Sequence, residues 1–406
     1  MRILFVHHYF PGQFRRIAEH YVATGHDVVA LYRGAVDGRS SSPVAGVRLL
    51  EYGHEVVADR PKDHILHDSE EFIREAASAC FQAIALRDAG WCPDIVYGHT
   101  GWGTGAFLQD VFFDAKYVKY CEWFHSNSSE TIAFLKPDPP FETRFLNSLL
   151  NLPVLADLAR ADLMIAPTEW QRSTFPAALR PAIEIAPDGI DTDLFRPDPH
   201  AAFHARDGRV FTAADRVITY VARGADPFRG FAPFIEALGR LQASDPKVEA
   251  LIVGDRTVYY GNGAGGEGHF RDVMAKAQID PARTHFTGTL PYEDYRKVLQ
   301  ISAAHVYLTV PFVLSWSALE ALSTGCLLIG SDTAPVREFV THGENGLLVD
   351  FFDAEGIASA IGQALRGGTD IDNMREKARE TIKARWSAEA AIERHLALVS
   401  RLLPPG

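Results

Sequence analysis

The sequence predicts an α/β chain of two doubly wound, Rossmann-like domains, and three observations lead there. Its 406 residues exceed one ordinary domain and suit two of about 200. Short apolar, β-branched runs alternate with segments of helical period from Arg2 onward, and the alternation restarts at Val217. The third observation is the stretch Val306 to Gly330, VYLTVPFVLSWSALEALSTGCLLIG, around which the chain is organised. It reads as a buried strand at Val306 to Val310, a break at Pro311, a loop, a helix from near Ser317, a stop at Gly325 and a second strand from Leu327. In such βαβ units ligands bind at the carboxyl ends of the strands, and a helix N-terminus suits a phosphate.

Composition narrows the functional classes. Apolar residues at 47% and charged residues at 23% are those of a globular protein. No run of about 18 apolar residues occurs, so no transmembrane helix is expected. The opening MRILFVHHYF has an apolar core without a small-residue cleavage site, and is read as a first strand and not a signal peptide. Cys80, Cys92, Cys121 and Cys326 lack metal-ligand spacing, which points to reduced thiols and a cytoplasmic protein. A formal net charge of −12 argues against nucleic-acid binding, while a local basic patch could still touch a membrane surface.

In chain order, strands are expected at Arg2 to Val6, Asp27 to Tyr32, Val47 to Tyr52, Pro93 to His99, Tyr117 to Cys121, Leu163 to Ala166 and Ile183 to Ala186. Helices are expected at Gln13 to Thr24, from a Ser69 cap to Asp88, from about Gly103, and over Phe141 to Ala161. Gly12, at the first helix start, would let backbone approach a ligand, or simply complete a Pro-Gly turn. Two strand ends deliver polar groups, His99 and Glu122, to one edge of the sheet, which favours a site over two isolated surface residues. In the second half, Arg223 and Arg229 lie on a glycine-containing loop before a helix. Two such cations can straddle a diphosphate, or merely be exposed. Gly261 to Gly266 matches G-x-G-x-x-G but lies too far past its strand for a dinucleotide fingerprint, so a mobile loop is expected at Gly261 to Gly268. Ser317 and Glu320 have capping-box spacing.

The Val306 to Gly330 stretch resembles the signature of the retaining glycosyltransferases of family four. Glu320 falls on the second acid of that signature, and Ala321, Leu322, Ser323, Thr324 and Gly325 continue the match. The resemblance implies that Glu320 holds the nucleotide ribose. It also implies that the turn at Ser315, Trp316 and Ser317 meets phosphate and sugar through its amides. Phe312 stands where the family carries its first acid, the usual contact to the donor sugar. Arg223 matches the family's arginine on the diphosphate, and Arg229 replaces its lysine. Thr289 and Leu290 fall in a segment similar to the one whose backbone receives the base. Gly12 is placed on the donor side as well, and Glu122 takes the place of a family histidine near the reacting sugar, with His99 as a second candidate catalytic group.

What the resemblance implies as a whole is a GT-B fold, two Rossmann-like domains facing a central cleft. Residues 1–197 would form the acceptor side, 198–385 the nucleotide-sugar donor domain, and 386–406 a helix returning to the first domain. The expected reaction moves a sugar, with retention, from a nucleotide-diphosphate donor to a hydroxyl of a glycan or lipid-linked acceptor in polysaccharide or glycoconjugate synthesis. No metal or other cofactor is expected, and peripheral contact with the inner membrane face is compatible with such an acceptor. Phe312 accepts no hydrogen bond, so a donor with a less polar edge, such as a 6-deoxyhexose, is anticipated if its ring faces the sugar; the equal alternative is that the ring turns into the core and Asp226 or a residue of the Gly261 to Gly268 loop contacts the sugar. The alternatives are a GT-B hydrolase or epimerase of nucleotide sugars, and a non-catalytic nucleotide-sugar-binding protein.

Overall fold

The computed structural model describes residues 1–33, 43–53, 66–125, 130–138, 140–260 and 266–403. The core of the glycine-rich loop, 261–265, lies outside them, so the loop expected there is not described. The chain divides into two compact units, Met1–Asp188 with Glu389–Gly406, and Gly189–Ala388.

The first unit is built on β1 (Arg2–His7), β2 (Asp27–Arg33), β3 (Arg48–Tyr52), β4 (Ile95–His99), β5 (Lys116–Tyr120), β6 (Leu163–Ala166) and β7 (Ile183–Ile185). They form one parallel sheet in the order β3-β2-β1-β4-β5-β6-β7. Helices cover both faces, so β1 is apolar at successive positions: Ile3, Leu4, Phe5 and Val6 are all fully buried. Ile3 and Phe5 join one core with Phe14 and Tyr97, while Leu4 and Val6 join another with Leu86 and Val96. Helix Arg15–Ala23 follows a 3₁₀ turn at Gly12–Phe14. The order of strands reverses between β1 and β4, so the carboxyl ends of these two strands, His7 and His99, flank the switch point.

Two helix expectations are corrected here. The long helix runs His67–Asp88 behind an Leu66 N-cap, and Ser69 is buried within its first turn instead of capping it. No α-helix starts near Gly103; two short 3₁₀ turns, Thr100–Trp102 and Leu108–Asp110, stand there. Gly103 adopts φ +62°, and a Cβ on it would lie 2.8 Å from the Pro153 carbonyl, so a regular side-chain-bearing turn has no room.

The second unit carries a two-stranded antiparallel hairpin, β8 (Ala202–His204) and β9 (Val210–Thr212). Six parallel strands follow: β10 (Val217–Val221), β11 (Glu249–Val253), β12 (Thr284–Gly288), β13 (Ser302–Tyr307), β14 (Leu328–Ser331) and β15 (Leu347–Val349). Their order is β12-β11-β10-β13-β14-β15, with the switch point between β10 and β13. Helix Trp316–Ser323 lies against helix Thr369–Arg385, and its Ala318, Leu319, Ala321 and Leu322 are buried in the core with Tyr307, Ala378 and Ile382.

The unit boundary falls at Asp188/Gly189, earlier than the expected Pro197. Ile190 exchanges backbone hydrogen bonds with Trp386 and Ala388, and the fully buried Phe195 joins the core of Leu322 and Trp386. At the other end, residues from Glu389 belong to the first unit. Leu398 and Val399 enter its core, and His395 stacks on Tyr97 at 5.4 Å. Among the described residues no helix is long and apolar enough to cross a membrane.

Candidate functional site

The loop after β10 leads through Arg223 to Asp226 and a 3₁₀ turn, Pro227–Arg229. Asp226 is fully buried; its Oδ1 accepts the backbone N–H groups of Tyr259 (2.6 Å) and Tyr260 (2.9 Å). Burial pushes its carboxyl above the usual range, with the two amides and both arginines opposing. Asp226 therefore ties two loops together through its Oδ1. Arg223 is exposed, with its guanidinium 3.9 Å from the centre of the Tyr259 ring.

Arg229 is buried and held differently. Its Nη1 donates to Tyr307 Oη (3.1 Å) and Thr309 Oγ1 (2.8 Å), and its Nη2 to the Val313 carbonyl (3.0 Å). Phe312 lies half-buried beside it, 5.4 Å from the guanidinium, packed edge-on against Phe228 and Tyr260 at 5.5 and 5.1 Å. Tyr307 Oη also accepts the N–H of Ser315 (3.0 Å), and Ser315 Oγ meets Ser317 Oγ at 2.9 Å. Arg229, Phe312, Ser315 and Ser317 thus share one cluster at the carboxyl end of β13. Trp316 begins the helix and is exposed.

The capping-box reading is corrected: Ser315 holds the N-cap position, without a side-chain cap bond, and Ser317 lies inside the helix. Glu320 is buried one turn further on. Its Oε1 accepts the hydroxyl of Tyr292 and its Oε2 that of Tyr295 (2.5 Å). Burial, then the neighbouring Glu320 charge, raises the Tyr295 phenol well above its ordinary value, so it remains a donor. Thr289 is exposed after β12, and Leu290 lines a cavity of about 370 Å³ with Phe203, His285, Phe286 and Pro291. That cavity includes neither arginine, nor Phe312, nor Glu320.

In the first unit the structure joins His99, Glu122 and two residues the sequence did not single out. Tyr9 N–H donates to His7 Nδ1 (2.8 Å), leaving the ring proton on Nε2, which donates to Gln13 Oε1 (2.9 Å). Gln13 Nε2 donates in turn to Glu122 Oε1 (2.6 Å). Gly101 N–H donates to His99 Nδ1 (3.1 Å), and the buried His99 Nε2 lies 3.4 Å from Glu122 Oε2. Burial would raise the Glu122 carboxyl, but His99 and Gln13 outweigh it and hold it below the usual range. Burial, the largest cause, holds the His7 pKa well below the usual histidine value. Glu122 is accordingly an ionised acceptor, with Gln13 donating to it and His99 beside it. Gly12 adopts φ +45°, and a Cβ there would meet His7 Nε2 at 2.4 Å; its lack of a side chain makes room for that ring. His125 stays apart: burial lowers its pKa to about 4, and Asn151 latches its backbone at both N–H and carbonyl.

Sequence reasoning missed His7, Gln13, Tyr259, Tyr260, Tyr292, Tyr295 and Tyr307 as members of these clusters. None carries a local motif; Gln13, Tyr292 and Tyr295 reach Glu122 or Glu320 across 25 residues or more, while His7, Tyr259 and Tyr307 also bond to near neighbours in the chain. Among the described residues no group of three or more His, Cys, Asp or Glu side chains is placed to hold a metal ion.

Comparison with known proteins bears on both units. A family model described as the glycosyl transferase family 4 group matches residues 24–195, and one described as glycosyl transferases group 1 matches 206–383. The lipopolysaccharide core biosynthesis glycosyltransferase LpsE of Rhizobium meliloti is 29% identical over 179 residues, 42% of this chain and 46% of that protein. A phosphatidyl-myo-inositol mannosyltransferase of Mycolicibacterium smegmatis is 28% identical over 211 residues, 51% of this chain and 46% of that one. The chain thus spans about half the length of these curated relatives. The structure of Anabaena HepE in complex with UDP-glucose superposes with a TM-score of 0.70 at 15% identity, covering 99% of this chain and 100% of that one, a likeness of fold. Two parallel doubly wound sheets, a family match on each, and the Glu320 segment in its expected βαβ setting lead to one conclusion: the chain belongs to the GT-B glycosyltransferases of the family-four type.

Proposed function

We propose that the protein transfers a sugar from a nucleotide-diphosphate donor to a hydroxyl of a glycan or lipid-linked acceptor, with retention of configuration and without a metal ion. The observation that carries this reading is the pair Arg223 and Arg229, set on the loop after β10 at the switch point of the second sheet, with Arg229 already tied to Tyr307, Thr309 and Val313. Negative charge develops on the departing diphosphate, and preorganised cations there lower the barrier more than cations that must reorient. Two of the five guanidinium N–H donors of Arg229 remain for an anion once its three bonds are made. The helix at Trp316 adds its N-terminal amides on the same side of the sheet.

The first-unit cluster supplies Glu122, an ionised carboxylate suited to accept a hydrogen bond from an acceptor hydroxyl; we assign it no nucleophilic role. Phe312 supports a donor with a less polar edge, a 6-deoxyhexose being the simplest, because its half-buried ring offers no acceptor and lies against Phe228 and Tyr260. The phosphatidyl-myo-inositol mannosyltransferase and the lipopolysaccharide enzyme among the relatives support a lipid-linked or cell-surface acceptor, and with it a cytoplasmic protein in peripheral contact with the membrane.

Incubation with labelled nucleotide sugars, with and without candidate glycan and lipid acceptors, tests the reading. Acceptor-dependent transfer with the anomeric configuration kept, insensitive to EDTA, is expected. Release of free sugar without acceptor would instead make it a hydrolase, and binding without turnover a binding protein.

A further inference from the structure

Arg223 and Arg229 present two different problems of preorganisation. Arg229 is buried and fixed by hydrogen bonds to three groups. Arg223 is exposed, and no ion pair joins it to a carboxylate among the described residues. An exposed arginine samples many rotamers, and holding it in one costs entropy at the moment an anion binds.

The structure contains a seat for it. The Tyr259 ring lies under the guanidinium at 3.9 Å, well within cation–π range. That ring is fixed at both ends. Its backbone N–H donates to the buried Asp226, and its hydroxyl donates to Asp255 Oδ2. Asp255 is itself fixed: its Oδ1 accepts the Thr257 N–H (2.8 Å), and its own N–H donates to the Arg223 carbonyl (3.1 Å). The two loops run so close that a Cβ on Gly224 would lie 2.0 Å from the Thr257 carbonyl. Hydrogen bonding to a carboxylate, the main cause of the raised Tyr259 pKa, also enriches the ring in electrons, which strengthens its hold on a cation. A guanidinium carries five N–H donors, so one seated against the ring keeps donors for an anion.

We propose that Tyr259, clamped by Asp255, is a positioning residue that presets the Arg223 guanidinium for the donor diphosphate. The proposal rests on the assignment of Arg223 to the diphosphate made above. It goes beyond that assignment by naming what orients the cation.

The test is titration calorimetry of uridine and guanosine diphosphates and their monophosphates against the wild-type protein and the variants Arg223→Ala, Tyr259→Ala, Tyr259→Phe and the double Arg223→Ala/Tyr259→Ala. Tyr259→Ala is expected to weaken the diphosphate that binds by roughly tenfold, with little effect on the matching monophosphate. Tyr259→Phe, which keeps the ring and loses the clamp, should fall between it and the wild type. The double variant should be no weaker than Arg223→Ala alone, because a platform without its cation has nothing to position. A purely structural tyrosine would weaken both phosphates alike and add its loss to that of Arg223→Ala; either result overturns the proposal. If Arg223→Ala itself leaves diphosphate affinity unchanged, the assignment of Arg223 fails first. If it lowers that affinity and both Tyr259 variants match the wild type, only the seat is refuted. Tyr259→Phe keeps the comparison valid should the alanine variant not fold.

Discussion

Replacing Glu320 by glutamine separates a ribose ligand from a structural anchor. In the structure both carboxylate oxygens are engaged, one by the hydroxyl of Tyr292 and the other by that of Tyr295. Glutamine keeps one acceptor oxygen and turns the other position into a donor, to which a tyrosine hydroxyl can respond by accepting. The structural loss should therefore be about 1 kcal/mol, the net value of one hydrogen bond. A ribose hydroxyl bonded to the carboxylate would lose the charge-assisted part of its bond, about 1–3 kcal/mol, or roughly 5- to 150-fold in Kd. Calorimetry with a nucleoside diphosphate and its 2′,3′-dideoxy counterpart reads this directly. With the ribonucleotide the variant should bind more weakly than the wild type, and with the dideoxy nucleotide the gap should close. An equal loss for both nucleotides, or none for either, would refute the ribose role and leave Glu320 as the anchor of Tyr292 and Tyr295. Thermal melts alongside show whether the anchor itself has been damaged.

Other outcomes follow from the same structure. Arg229→Lys keeps the charge but cannot reproduce the bonds to Tyr307, Thr309 and Val313, so kcat should fall by about tenfold or more with KM little changed; an unchanged kcat would remove Arg229 from transition-state stabilisation. Phe312→Glu should shift competition between matched hexose and 6-deoxyhexose donors toward the fully hydroxylated sugar by about 1–3 kcal/mol in kcat/KM, and a wild type that already prefers that sugar, unaltered in the variant, would end the deoxy-sugar reading. Lys119 and Asp157 form an ion pair in which neither side chain is exposed, so Asp157→Ala should cost about 3–5 kcal/mol in denaturant unfolding, much of it recovered by Lys119→Met with Asp157→Leu; a single-variant loss under about 1 kcal/mol would contradict the burial argument. Burial pushes His395, on the Tyr97 ring, down to about 4, below the value of an unfolded histidine near 6.5. Between those values the unfolded chain binds the extra proton, so the His395 contribution is present above about 6.5 and is lost as the pH falls toward 4. His395→Phe should flatten that part of the melting-temperature profile, and a profile identical to the wild type would exclude His395 as a cause.

The fold was largely legible because a doubly wound sheet leaves a local record. Strands buried on both faces, such as Ile3 to Val6, must be apolar at successive positions, and the helices between them must repeat near 3.6 residues. The same holds for the segment around Glu320, where strand, loop and helix are contiguous and their residues could be read in line. Elements too short to show a period escaped: β8 and β9 have three residues each. Ser69 misled because a cap depends on where the chain bends, and residue type alone permits several starts. The Gly101 to Gly105 run misled because groups far along the chain crowd it: Pro153 leaves no room for a Cβ at Gly103, nor Asp157 and Lys119 at Gly105.

The amino-acid sequence by itself determined the α/β class, the restart of the alternation at Val217, and which strand ends and following loops carry His99, Glu122, Arg223 and Arg229. Only the tertiary structure decided what those residues meet. Gln13 and Glu122 stand 109 residues apart and touch because β4 is laid beside β1 and β5 beside β4. Tyr259 reaches Arg223 because β11 is laid beside β10, which delivers the two following loops to one edge. Strand order is settled by how whole layers bury their apolar faces, a property of the assembled sheet that no short stretch of chain encodes.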